Sequence, residues 1–205
     1  MKIIPPGFTL LDAIDAPRIL KKLERVGRVC WKSEERITED SHVKFLDMLI
    51  KKGHESVIEH ESLSVGLVCD RGITHELVRH RIASYTQEST RYCNYAKNKF
   101  DGEITFIRPF FWDDDHALFA AWKAQMQQAE DAYLQMISQG ATAQEARAVL
   151  PHSVKAEIIV TMNLRAWRHF FKQRTPEAAH PQMREVAQPL LAEFQRQLPV
   201  IFGDL

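Results

Sequence analysis

Three groups able to carry positive charge stand side by side at Arg79-His80-Arg81, and a polar run follows them. From Ser84 to Tyr92, nine consecutive residues bear a hydroxyl, amide, carboxylate, guanidinium or phenol. A packed core does not ask for this, because each polar group buried without a partner costs about 1–3 kcal/mol. The stretch is therefore either a solvated loop or a site whose polar groups meet a polar ligand. Further along, Arg147, Arg165, Arg168 and Arg174 add guanidinium groups, whose planar fork matches phosphate oxygens bidentately. Neither Gly-x-Gly-x-x-Gly nor a P-loop occurs, so a dinucleotide's pyrophosphate would have to be held by side chains and helix ends.

Lys plus Arg and Asp plus Glu each total 27, so the formal net charge is zero. That argues against a protein holding a nucleic-acid polymer by bulk electrostatics. Local arginine clusters in a neutral chain suit a small anion such as a nucleotide phosphate. The block GHESVIEH at 53–60 invites a metal reading, but Ile58 stands where His-Glu-x-x-His needs its second imidazole, and His54 and His60 are six apart. No metal is expected there. Ser89 as a nucleophile would need an adjacent base, and nothing in the sequence brings His80 within reach, so Ser89 is read as a ligand. Cys93 beside it could be a thiolate nucleophile, but a lone cysteine carries no spacing evidence and is read as a packed side chain.

The segment 164–174 reads as a helix, and its phase separates its cations. Arg165, Arg168 and His169 lie at i, i+3 and i+4 and share a face. Arg174, nine residues beyond Arg165, is half a turn out of phase, so Arg165 and Arg174 are expected to serve different groups. Arg168 is read as a solvated charge.

Arg79-His80-Arg81, then seven residues, then Ser89 resembles the signature of flavin-dependent thymidylate synthases. GHESVIEH at 53–60, Arg147 ahead of Leu150-Pro151, and MNLRAWRHFFKQR at 162–174 also resemble that family, in the same order, between about Val26 and Leu191. The resemblance implies synthesis of dTMP from dUMP, with methylenetetrahydrofolate as one-carbon donor, NADPH and FAD as the redox partners, and no cysteine nucleophile. For dUMP it implies Glu76, Arg79, Gln87, Glu88, Ser89, Thr90, Arg91, Arg147 and Arg174, with Arg174 as the catalytic cation on the pyrimidine and the 87–91 loop at the phosphate. For FAD it implies His54, Ser56, Glu59, Arg79, His80, Arg81, Asn163, Arg165, His169 and His180. Two positions depart from the family: His169 stands where Asn is common, and Gln87 where some members carry an acid. The resemblance also implies a homotetramer with shared active sites, and Phe110-Phe111-Trp112 and Phe170-Phe171 are candidates for its interfaces.

The elements that must position these residues mix strands and helices without regular alternation. The expected class is α+β, with an antiparallel or mixed central sheet packed by helices and one domain over 1–205. Residues 2–14 read as a strand broken by Pro5, Pro6 and Gly7, and 17–29 as an amphipathic helix. Ser41 is expected to cap a second helix that Gly53 ends. Residues 61–70 and 153–162 alternate as central strands. Arg71-Gly72 is expected to turn the chain, with Thr74 capping a short helix through Arg79. The longest helix is expected over about 114–139, capped by Asp113, with Leu118, Trp122, Met126, Ala129, Tyr133 and Met136 on its apolar stripe. Thr142 to Glu145 forms a capping box, Asn163 or Thr161 caps the 164–174 helix, and the last helix begins near Pro181. Three cysteines without CxxC spacing fit a reducing cytoplasm. The first residues read as a strand and not as a signal peptide, and no run reaches the length of a membrane span. Two other readings are an RNA-binding surface of arginines and tyrosines and a metal-dependent nucleotide hydrolase at 54–60. The zero net charge disfavours the first and the ligand spacing the second.

Overall fold

The computed structural model describes residues Met1–Leu205. In chain order its elements are β1 Lys2–Ile4, β2 Gly7–Leu10, α1 Ala16–Val29, α2 Ser41–Lys51, β3 Ser62–Asp70, α3 Arg71–Leu77 and β4 Ser84–Gln87. There follow β5 Thr105–Ile107, α4 Ala117–Ser138, α5 Ala143–Ala146, β6 Lys155–Asn163, α6 Leu164–Arg174, α7 Pro181–Gln197 and α8 Pro199–Phe202. A 3-10 turn over Glu55–His60 joins α2 to β3.

Two sheets form: a parallel pair, β1 with β5, and a four-stranded sheet in the order β2-β3-β6-β4. β3 and β6 run antiparallel, because Leu164 N donates to Glu61 O at one end (2.9 Å) and Arg71 N to Val154 O at the other (3.2 Å). Leu63, Val65, Leu67 and Cys69 of β3, and Ala156, Ile158, Val160 and Met162 of β6, are all buried, as their alternation predicts. The class is α+β, as expected.

The chain divides into two compact units. The first comprises Met1–Gly7, Leu67–Arg79 and Thr86–Ile158; the second comprises Phe8–Gly66, His80–Tyr85 and Ile159–Leu205. The core of the first unit gathers Tyr95, Ile104, Phe106, Met126, Tyr133, Ala146 and Val154. The core of the second is aromatic: Phe171 stands 5.4 Å from Phe170, 5.3 Å from Phe194 and 5.9 Å from Phe202 between ring centroids. Phe170-Phe171 is therefore buried core and does not face an interface.

Several boundaries differ from the sequence reading. Pro5 and Pro6, which offer no N–H to a ladder, break the first strand as expected, but Gly7 opens β2 and that strand ends at Leu10, short of residue 14. Arg71-Gly72 is not a turn: Asp70 Oδ1 accepts from Ile73 N at 2.8 Å and starts α3 directly out of β3, leaving Thr74 inside the helix with its hydroxyl donated to Arg71 O (2.9 Å). α3 stops at Leu77, short of Arg79. Ser41 is the first helical residue of α2, not its cap; its hydroxyl donates to Glu24 Oε2 at 2.9 Å. His116, not Asp113, caps α4, and the stripe begins at buried Phe119 while Leu118 is 53% exposed. Gly53 ends α2 as expected, at φ +71°, a conformation that glycine adopts without a Cβ penalty. The Thr142–Glu145 capping box forms.

Candidate active site

α6 is fixed before its polar residues are placed. Asn163 Oδ1 accepts from Ala166 N (2.8 Å), and buried Trp167 donates its indole N–H to Leu63 O (3.0 Å). Of the two capping candidates, Asn163 is the cap; its side-chain oxygen is engaged there. From this anchored helix exposed Arg165 donates to Glu59 Oε1 (2.6 Å) and lies 3.8 Å from Glu55.

Arg168 is not the solvated charge its helical phase suggests. It is 1% exposed and donates through Nε to Glu55 Oε1 (3.0 Å), through Nη2 to Asp204 Oδ2 (2.7 Å), and through Nη1 to Asp204 and to Ile201 O. Its partners come from the 3-10 turn and the C-terminal residues, which the spacing of one helix cannot reveal. This guanidinium ties three segments of the second unit together.

At the far end of α6, Arg174 donates from Nε to His80 Nε2 at 2.9 Å. The accepting nitrogen carries no proton, so the ring proton of this neutral imidazole is on Nδ1. Burial, then the Arg174 charge, then His169 lower the His80 pKa from 6.5 to about 4. The ring packs edge-on to Phe170 (5.1 Å) and to exposed His169 (6.1 Å), and Tyr85 donates its hydroxyl to His80 O (2.7 Å). Arg165 and Arg174 do keep different neighbours, as their phase predicts. Arg174 nevertheless touches His80, a residue expected on the flavin.

The remaining flavin-set residues of this unit are spread over its surface. His54 is exposed and stacks on Trp31 (6.3 Å, 21° between planes). Ser56, Glu59 and Arg81 are exposed. His180 caps α7, its Nδ1 accepting from Gln182 N at 3.3 Å. These groups fit a flavin dinucleotide in kind: an Nδ1–H donor, exposed guanidinium groups at Arg81 and Arg165, and rings. They could hold pyrophosphate and ring edges without a glycine-rich loop.

The first unit carries most of the nucleotide set. Glu76 lies in α3, and Arg79 follows the helix end, exposed, its N–H donated to Glu76 O (3.2 Å). Ser84 to Gln87 is strand β4, where the sequence reading saw only a polar run. Gln87 donates to Thr74 Oγ1 at 3.1 Å. Glu88 Oε1 accepts from Tyr95 OH (3.0 Å), while its Oε2 meets Lys155 at 2.6 Å. This carboxylate anchors the loop. Burial and the Glu88 charge push the Tyr95 phenol well above its usual range, so it stays a donor. Thr90 is buried. Ser89 accepts at its carbonyl from Tyr92 N (3.1 Å) and Cys93 N (2.9 Å), and its Oγ from Arg91 N (3.3 Å). Exposed Arg91 and Arg147, with the Ser89 turn, are the groups free in kind to take a phosphate. Lys155 escaped the sequence reading because a single lysine in an alternating strand carries no signal for a buried partner.

The pattern of the Thy1 family, described as thymidylate synthase complementing protein, matches residues 9–200. A flavin-dependent thymidylate synthase of Pyrococcus furiosus is 41% identical over 170 residues, covering 82% of this chain and 69% of that protein. The chain belongs to the flavin-dependent thymidylate synthase family. A family member from Geobacter sulfurreducens is 35% identical over 185 residues, covering 87% of this chain and 78% of its own. Among solved structures, the UMP/dUMP methylase PolB of Streptomyces cacaoi, bound with 5-Br UMP, superposes with a TM-score of 0.80 at 21% identity, over 99% of this chain and 95% of that one. That likeness shows that the family member described here shares PolB's fold.

Proposed function

We propose that this protein methylates dUMP to dTMP, with methylenetetrahydrofolate as one-carbon donor, FAD as cofactor and NADPH as the source of reducing equivalents. The observation that carries the reading is the Arg174–His80 pair: a fixed guanidinium held by a neutral imidazole, in a chain of this family. Uracil C5 is a poor nucleophile, and it reacts more readily if negative charge developing on the ring meets a preorganised cation. Arg174 is that cation. Ser89, Arg91 and Arg147 hold the phosphate, with Arg79, Glu76, Gln87 and Thr90 shaping the nucleotide site and Glu88 anchoring its loop through Lys155. His80, Arg81, Asn163, Arg165 and His169 orient the flavin, with His54, Ser56, Glu59, Arg79 and His180 contributing. The reduced flavin supplies the electrons that turn a transferred methylene into a methyl group.

No cysteine attacks the ring in this reading. Burial pushes the Cys69 thiol up to about 12, which suits a packed side chain and not a thiolate. The active form is a homotetramer in the cytoplasm, its sites completed by several subunits. Exposed Phe110 and Phe111, whose rings lie 4.7 Å apart, support a subunit contact.

The test is dTMP formation by the purified protein. Product is expected only when dUMP, methylenetetrahydrofolate, FAD and NADPH are all present, and Cys93→Ala should leave it intact. Turnover without added or bound flavin, or its loss in Cys93→Ala with the fold intact, would contradict the reading.

A further inference from the structure

A cavity of about 740 Å³ opens in the second unit, between the end of α1, the turn that follows it, and α2. That volume lies in the range of small-molecule sites. Its floor is built with some care. Glu24, 1% exposed, accepts from Arg28 Nη2 (2.7 Å) and from the Ser41 hydroxyl (2.9 Å), and the Arg28 guanidinium lies 4.1 Å from the Phe45 ring centroid. Gly27 permits the approach of Phe45: a Cβ there would stand 2.7 Å from the phenyl ring.

On this floor stands Trp31, 53% exposed. Its ring is edge-on to Phe45 (6.1 Å) and nearly parallel to His54 (6.3 Å). An indole held in place by two rings and left open to water has the form of a stacking platform. The walls are basic: Lys32, Arg36, Lys44 and Lys52 face a single carboxylate, Glu35, which lies 3.5 Å from Arg36. No carboxylate pairs with Lys32, Lys44 or Lys52. Lys32 is also held at φ +47°, a left-handed conformation that lysine rarely adopts.

We propose that this cavity binds the oligoanionic tail of a ring-bearing co-substrate, with a ring on Trp31 and the tail's charges on Lys32, Lys44 and Lys52. The assignment rests on the flavin reading above. His54, the residue stacked on Trp31, belongs to the flavin set, so the occupant is a reactant that exchanges groups or electrons with the flavin. Three unpaired ammonium groups exceed what one carboxylate needs. The anions are therefore either the γ-linked carboxylates of a polyglutamylated folate or the phosphates of a nicotinamide nucleotide, and both present the same chemistry to the walls.

Calorimetric titration of the flavin-loaded enzyme separates the sources without turnover. The probes are pteroyl-tetraglutamate against pteroyl-monoglutamate, and NADP⁺ against NAD⁺. The wild type should favour the more anionic member of one pair by roughly tenfold. Lys44→Glu with Lys52→Glu should erase that preference while the flavin spectrum stays unchanged, and Trp31→Ala should weaken both members of the favoured pair equally. The neutral pair Lys44→Gln, Lys52→Gln serves if the reversed charges disturb folding. A tetraglutamate preference identifies the folate tail, and an NADP⁺ preference identifies the phosphates. No preference in either pair, or one that survives both lysine variants, would overturn the assignment. A preference seen in protein that makes no dTMP would uphold the cavity and remove only the reaction proposed above.

Discussion

His80 accepts from Arg174 through Nε2, so one imidazole links a residue assigned to the pyrimidine with the set assigned to the flavin. Its neutrality has a sign that can be checked. Folding lowers its pKa from 6.5 to about 4, so the folded state resists a proton that the unfolded chain accepts. The contribution to stability is therefore complete above about pH 6.5 and is lost as pH falls towards 4. Thermal unfolding between pH 7 and 4 should show this loss, and His80→Asn, which keeps an acceptor for Arg174 but cannot titrate, should flatten it. An unchanged pH profile in His80→Asn would mean that the imidazole is not held neutral. Glu88 teaches the complementary lesson. A carboxylate inside a signature loop reads as a ligand, and its two oxygens also hold Tyr95 and Lys155, which anchors the loop.

At the scale of the element, α6 organises the second unit. Its start was legible: Asn163 before Leu164 is a capping signal, and Asn163 does cap the helix. The phase of Arg165 against Arg174 was legible too, since it follows from 3.6 residues per turn. The burial of Arg168 was not. It depends on Glu55 and Asp204, which are 113 and 36 residues away. Helix starts misled where two elements abut without a loop, as β3 and α3 do at Asp70, because the turn signal Arg71-Gly72 was overridden by an aspartate cap. Removing the Arg168 side chain takes the shared donor from Glu55, Asp204 and the Ile201 carbonyl and empties a buried site. Arg168→Ala should therefore lower the unfolding free energy by about 2–3 kcal/mol, measured by urea denaturation. A change within about 0.5 kcal/mol, the size usual for surface substitutions, would return Arg168 to the solvated face.

At the scale of the whole molecule, the α+β class and the two alternating central strands were readable because each strand buries one face. The parallel pairing of Lys2–Ile4 with Thr105–Ile107 was not readable, since nothing in a three-residue strand names a partner about a hundred residues away. The division into two units was equally invisible, because all but one of its boundaries fall inside strands, in β2, β3, β4 and β6. By that division the nucleotide set, apart from Arg174, lies in the first unit, and the flavin set, apart from Arg79, lies in the second. The exposed Phe110-Phe111 pair belongs to the same scale. Gel filtration with light scattering should find a tetramer, and Phe110→Ser with Phe111→Ser should weaken it. A fully active monomer would refute shared sites.

The most direct test of the central claim is the visible spectrum of the FAD-loaded protein during titration with dUMP, in the wild type and in Arg174→Ala. The wild type should show a flavin spectrum that shifts on dUMP addition. Arg174→Ala should retain flavin, show a lost or much weakened dUMP response and make no dTMP. A protein that takes up no flavin, or an Arg174→Ala variant that responds to dUMP as the wild type does, would contradict that claim.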